Sequence, residues 1–283
     1  MADQSFALDL GSCKINLARR ALVVGIVNVT PDSFSDGGQF FDHAAAIEHG
    51  VQMAADGAAI IDVGGESTRP GAETVPVEEE LRRILPVIKA LAQRTQAVIS
   101  VDTRKAAVAE AAVDDGARMV NDVSGLRFDP RMARAVAERG VAVALMHMRG
   151  TPQEMQQRCQ YQDVVREVCE ELRQSVQTAL DAGVREERIV VDPGFGFAKT
   201  LDQNFELLRR LAELRSLGRP IMVGTSRKSM IRRTLGDDPL ALRIGTAATL
   251  AIAIQAGARL VRVHDVKEGV LVSKLCEAVE RET

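Results

Sequence analysis

The chain has 283 residues, 46% of them hydrophobic and 27% charged, which allows a large buried core; about 250 residues is a common length for a single α/β barrel. A net charge of -3 supplies no basic field for a polyanion, so nucleic acid is excluded as a partner and any phosphate site must be local. Cys13, Cys159, Cys169 and Cys276 lack zinc or disulfide spacing, and neither a signal-peptide pattern nor a membrane-length apolar run is present, so a cytoplasmic protein with free thiols and no membrane contact is expected.

FALDLGSCKINLA (6–18) reads as a hairpin turning at Gly11 and Ser12, with Phe6, Leu8 and Leu10 alternating against Ile15 and Leu17. Eight short apolar runs follow: VVGIVNV (23–29), AIIDVGG (59–65), AVISVDT (97–103), MVNDVSG (119–125), VAVALMHM (141–148), IVVDPGFG (189–196), PIMVGTS (220–226) and RLVRVHDV (259–266). Such near-continuous runs are what a parallel sheet covered on both faces requires.

Helical patterns fill the gaps. Val77, Leu81, Ile84, Leu85, Ile88 and Leu91 form one stripe, which Pro86 is expected to kink. In DPRMARAVAERG, Asp129 offers an N-cap, Pro130 a first helical position and Gly140 a left-handed end. A longer helix is expected over 161–182, another through Phe205, Leu208, Leu211 and Leu214, and a short one from Ser229. The uncharged stretch 244–256 is apolar nearly all round, which predicts burial on both sides.

This alternation predicts a (β/α)8 TIM barrel, one domain over 1–283, with the hairpin closing the barrel floor. An open doubly wound sheet is the alternative. A barrel gathers every C-terminal strand end at one mouth, and the strand ends here carry Asn28, Asp62, Asp102, Asn121, Asp192, Lys228, Arg262 and His264, with His147 closing the fifth. Any one of these could simply cap a strand. Together they mark a polar-ligand site, because unpaired buried charges are costly. Gly224, Ser226 and Ser229, with Arg262 and His264 two apart on one strand face, make an anion site after the last two strands. In the bland reading, Arg227 and Arg262 pair with acidic neighbours. Asp62 reads as structural and His147 as a hydrogen-bonded rim group. No Cys or Ser paired with a base is expected at the mouth as a covalent nucleophile.

NVTPDSFSDGG (28–38), IDVGGESTRPGA (61–72), SVDT (100–103), NDVSG (121–125), MHMRGTPQEMQ (146–156), DPGFGFAK (192–199), GTSRKS (224–229) and RVHD (262–265) together resemble the dihydropteroate synthase family from first strand to last. The resemblance implies a transferase of folate biosynthesis. A dihydropterin carrying a CH2-diphosphate would couple to the amine of p-aminobenzoate, with diphosphate departing first to leave a pterin cation. It also implies a sulfonamide target and a homodimer, with 244–256 as the candidate interface.

By the same resemblance Asp102, Asn121, Asp192 and Lys228 hold the pterin, whose adjacent N–H donors suit carboxylate and amide acceptors. Asn28, Thr68, Arg262 and His264 meet the diphosphate, with Mg2+ on the Asn28 side-chain oxygen. Phe34, Thr68, Arg69, Pro70, Phe197, Lys228 and Ser229 surround p-aminobenzoate. Asp36 lies near the cation, on a loop that Gly37 and Gly38 let close. The catalytic set is then Asp36, Asp102, Lys228, Arg262 and His264. One departure from the pattern is Ala198, where glycine is expected; its methyl group would stiffen the loop carrying Lys199. The rival readings are a methyltransferase-type pterin barrel, which needs no anion cradle, and a noncatalytic pterin-binding module, which has little use for two closing loops.

Overall fold

The computed structural model describes residues 6–11, 13–18, 20–30, 43–69 and 71–280. All eight sequence-predicted strands form, as β3 (Leu22–Asn28), β4 (Ile60–Gly64), β5 (Val98–Asp102), β6 (Met119–Asp122), β7 (Ala142–Met146), β8 (Ile189–Asp192), β9 (Ile221–Val223) and β10 (Ala258–Val263). They pair in parallel in chain order, and β10 closes on β3, so the sheet is a barrel and the open-sheet alternative falls. Helices α1 (His43–Ala55), α2 (Val77–Arg94), α3 (Ala106–Asp114), α4 (Met132–Arg139), α5 (Val164–Asp181), α6 (Leu201–Arg209), α7 (Ser229–Leu235), α8 (Pro239–Gln255) and α9 (Val266–Glu280) alternate with the strands.

Side chains alternate across a strand, and this period of two sorts each run into an inner and an outer set. Leu22, Val24, Ile60, Val98, Met119, Ala142, Ala144, Val190, Met222 and Leu260 fill the barrel interior. The hairpin of β1 (Ala7–Asp9) and β2 (Lys14–Asn16) inserts Leu8, Leu10 and Leu17, all fully buried, into this same cluster from below. It is the predicted floor plug; its turn residue Ser12 is outside the described residues. Asp9 anchors the plug, accepting from Gly11 N–H at 2.8 Å, from Arg188 Nε at 3.1 Å and from Arg185 Nη2.

Pro86 lies inside α2 on its exposed side, and the helix continues past it to Arg94. The buried face of α2 also includes a charge, Glu80, beside Ile84, Val87, Ile88 and Leu91. Asp129 caps a turn ahead of α4 rather than the helix itself: its carboxylate accepts from Arg131 N–H at 3.0 Å and from Ala106 N–H at 3.0 Å, tying that turn to the start of α3. Gly140, at φ 60°, ends α4 as predicted.

Candidate active site

The register that sends Leu22, Ile60, Val98, Met119, Val190 and Leu260 inward sends Asn28, Asp62, Asp102, Asn121, Asp192 and Arg262 inward too, nearer the mouth. Arg262 reaches from β10 across the barrel. Its Nε donates to Asp62 Oδ2 at 2.7 Å and its Nη2 to Asp102 Oδ2 at 2.6 Å, while Asn121 Nδ2 donates to Asp62 Oδ2 at 2.9 Å. Asp62, expected to cap a loop, is therefore a buried member of the site that orients both Arg262 and Asn121. Among the described residues, Asp62 Oδ1, Ser100 Oγ and Asn121 Oδ1 are buried without a hydrogen-bond partner. Two of these are pure acceptors, a condition that a ligand rich in N–H groups relieves.

Asp192 completes the acceptor set. Its Oδ1 takes the Gly194 N–H at 2.7 Å, and burial pushes its pKa up to about 6 despite that bond and the charges of Lys228 and Arg262. Burial likewise pushes Asp102 up to about 7, against the pull of Arg262 and with Asp62 adding to the rise. Three carboxylates share one guanidinium and one amine.

That amine is Lys228, half-buried beyond β9. The turn carrying it closes through Lys228 N–H to Thr225 O at 3.1 Å and passes Arg227 at φ 56°. A left-handed non-glycine residue costs about 1–2 kcal/mol. The turn is held by Arg227, whose guanidinium meets both Asp265 oxygens at 2.6 and 3.1 Å. Lys228 Nζ lies 4.2 Å from the centre of the Phe197 ring; burial and the Arg262 charge bring its pKa down to about 8. Both bland pairings, Arg227 and Arg262 with acids, are thus real, and they aim the site rather than replace it.

One expectation fails at the anion side. Ser226 Oγ stands 3.0 Å from His264 Nδ1, so a serine is paired with a base. Ser226 is buried and its Oγ also accepts the His264 backbone N–H at 3.2 Å, so the hydroxyl is tied to His264 at both its backbone and its ring. Burial, with Arg227 and Arg262, lowers the His264 pKa to about 4, which keeps the ring neutral. Ser226 therefore holds the orientation of the ring on the anion side.

His147 is not at the rim. The inward position at the end of β7 is Met146, so His147 faces outward, fully buried, with Nε2 3.2 Å from Glu171 and Nδ1 3.0 Å from Lys199 Nζ. Burial and Lys199 bring its pKa down to about 3. Lys199, also buried, donates to Gly194 O at 3.0 Å and Phe197 O at 2.9 Å, clamping the loop just ahead of Ala198. Ala198 sits at φ 50°, which is why glycine is the expected residue there.

Asn28 is half-buried at the end of β3. Thr68, half-buried, and Arg69 and Ser229, both exposed, stand on loops at the rim, and no hydrogen bond joins them to the Asp62–Asp102–Arg262 cluster among the described residues. Phe34, Asp36 and Pro70 lie outside the described residues. Also among the described residues, no group of three or more His, Cys, Asp or Glu side chains is placed to hold a metal. A cleft of about 580 Å³ beside the mouth includes Arg104, Arg127, Arg149 and Arg158 in its lining, but these pair with Glu66, Glu171, Glu167 and Glu154.

Residues 24–264 match the family model described as pterin binding enzyme. A dihydropteroate synthase from Synechocystis sp. is 46% identical over 97% of this chain and 95% of its own length. The chain belongs to the dihydropteroate synthase family. Its members are transferases, and the expected fold and enzyme class are borne out. Among solved structures, the Xanthomonas albilineans dihydropteroate synthase with 4-aminobenzoic acid superposes with a TM-score of 0.91 at 45% identity, covering 99% of this chain and 100% of that one. The same organism's enzyme in complex with 7,8-dihydropteroate gives 0.88 at 43% identity, covering 98% and 100%. No helix among the described residues is long and apolar enough to cross a membrane.

Proposed function

We propose that the chain couples 6-hydroxymethyl-7,8-dihydropterin diphosphate to p-aminobenzoate, giving 7,8-dihydropteroate and diphosphate, as a cytoplasmic step of folate biosynthesis. The observation that carries this is the single inward cluster of Asp62, Asp102, Asn121, Asp192, Lys228 and Arg262, with orphaned acceptors at its centre. Asp192 and Asn121 Oδ1 accept from the 2-amino pyrimidine edge, and Asp102 and Lys228 take opposite polar positions on the ring.

The methylene C–O bond breaks with its electron pair leaving on diphosphate. Positive charge then spreads into the pterin, and the amine lone pair forms the new C–N bond before its proton is released. Arg262 and the His264 ring favour the departing anion, and Thr68 adds a hydroxyl. Ser226 orients His264 through the 3.0 Å contact with Nδ1 and through the His264 backbone N–H that its Oγ accepts. Arg69, Phe197 and Ser229 border the amine; the roles that the family motif implies for Phe34, Asp36 and Pro70 fall outside the described residues.

Among the described residues, Asn28 would give Mg2+ one oxygen, with diphosphate and water supplying the rest, and the ion would neutralise the leaving group's charge. The methyltransferase reading is disfavoured by the Ser226–His264–Arg262 anion side, for which a methyl donor has no use.

We also assign the outer surface of α8 and α9 to a second copy of this chain. In the single chain one side of 244–256 is open: Ile244 and Ile252 are 56% and 51% exposed, and α9, which packs against α8, exposes Leu271, Leu275 and Val279. An apolar surface of that extent marks an interface.

Incubation with both substrates and Mg2+ should yield dihydropteroate and diphosphate in equal amounts, and sulfonamides should compete with p-aminobenzoate. Pterin binding without product would favour a noncatalytic module. Full activity in excess chelator would remove Mg2+ from the account.

A further inference from the structure

Segment 66–76 leaves β4 and enters α2, and its two ends converge on two cations of a different loop. Arg104 Nη2 donates to Glu66 Oε1 at 2.8 Å and to Thr74 Oγ1 at 3.3 Å. Lys105 Nζ donates to Glu66 Oε2, to Val75 O at 2.8 Å and to Glu80 Oε2, in the first turn of α2, at 2.5 Å. These four side chains are nearly or fully buried, with exposures of 4% for Arg104, 8% for Lys105, 7% for Glu66 and 0% for Glu80. The Arg104 guanidinium is covered in turn by the Phe128 ring at 4.1 Å. The intervening tip touches the chain through Gly71 N–H to Pro152 O at 3.1 Å.

Two cations and two carboxylates balance, so the cluster is neutral as a whole and tolerates burial. An apolar patch would hold the segment with less desolvation but would leave its register free; here Arg104 Nη2 and Lys105 Nζ each meet a named acceptor at both ends of the loop. Thr68 and Arg69 lie between these ties. No contact of Arg104 or Lys105 with Asp102, Asp192, Lys228 or Arg262 is needed for this.

We propose that Arg104 and Lys105 are positioning residues for the amine substrate: they staple both ends of segment 66–76, so that Thr68 and Arg69 stand at the mouth where p-aminobenzoate enters. The inference rests on the reading that this segment borders the amine.

The test uses the full-length protein as Glu66→Gln and as the charge-balanced pair Lys105→Met with Glu80→Gln, with Lys105→Arg as the conservative rescue. Hydrogen–deuterium exchange of peptides covering 66–76, KM for p-aminobenzoate, kcat and the affinity for the pterin diphosphate are measured on each, with a melting curve to show that it is folded. The expected result is about tenfold faster exchange confined to 66–76 and a KM raised about tenfold, with pterin affinity within about twofold of the parent and partial recovery in Lys105→Arg. If the paired variant does not fold, Glu66→Gln, which keeps the side chain's size and one acceptor, gives the same readout with a smaller KM change. Unchanged exchange would overturn the staple and leave the assignment of Thr68 and Arg69 standing. Faster exchange with an unchanged KM would overturn the link to the amine and would fall on that assignment instead.

Discussion

Replacing Asp192 with asparagine should flatten the protein's loss of stability between pH 5 and pH 8 while weakening pterin binding. The carboxyl is buried and its pKa is raised from 3.8 to about 6, mainly by burial. Because the folded value lies above the unfolded one, the group's stabilising contribution is complete below pH 3.8 and disappears as pH climbs through about 6. Linkage puts the cost of ionising it in the fold at about 1.6 kcal/mol at pH 5 and about 3 kcal/mol at pH 8, a difference of about 1.4 kcal/mol. An asparagine of the same shape has no proton to lose, so urea unfolding at the two pH values should show the variant gaining about that much on the parent at the higher pH. Its amide is a weaker acceptor for the pyrimidine N–H groups, so pterin affinity should fall about 10- to 100-fold. A variant whose change between pH 5 and pH 8 equals the parent's would refute the claim that this carboxylate is held at the mouth against its own solvation.

Gly194→Ala should abolish pterin binding and cost about 3 kcal/mol or more in thermal melting, because at φ 69° a Cβ would strike the His147 carbonyl and displace the N–H that Asp192 accepts; a variant that melts and binds like the parent would contradict this. Asp9→Ala should lower stability by about 1–3 kcal/mol in urea with kcat unchanged, since it loosens the floor plug at the end of the barrel remote from the mouth. Asp36→Asn should lower kcat more than pterin affinity, and equal losses in steady-state and binding measurements would count against a cation-stabilising role.

The barrel was legible because each inner strand pairs an apolar run with a polar terminus, and a period of two sends both to the same side. Asp102, Asn121 and Asp192 are found this way. The same rule misplaces His147: one residue beyond the last strand position, it turns outward to Lys199 and Glu171, and no local pattern marks that step. Asp62 was undervalued because an acid inside a strand reads equally well as a loop cap until Arg262, 200 positions away in the chain, is seen to meet it. The Ser226–His264 pair spans 38 positions and needs the coordinates for the same reason. Glu80 was hidden by a helical stripe drawn from apolar residues only; its partner Lys105 lies 25 positions on, beyond β5. What sequence supplied was periodicity and the family's order of motifs; what it could not supply was which charges meet across the barrel.

The most direct test of the account is a crystal structure with 6-hydroxymethyl-7,8-dihydropterin diphosphate bound. The account predicts the pyrimidine edge within hydrogen-bonding distance of Asn121 and Asp192, the ring beside Asp102 and Lys228, and the diphosphate against Arg262 and His264. A pterin seated elsewhere, with the bonds from Arg262 to Asp62 and Asp102 untouched, would contradict it.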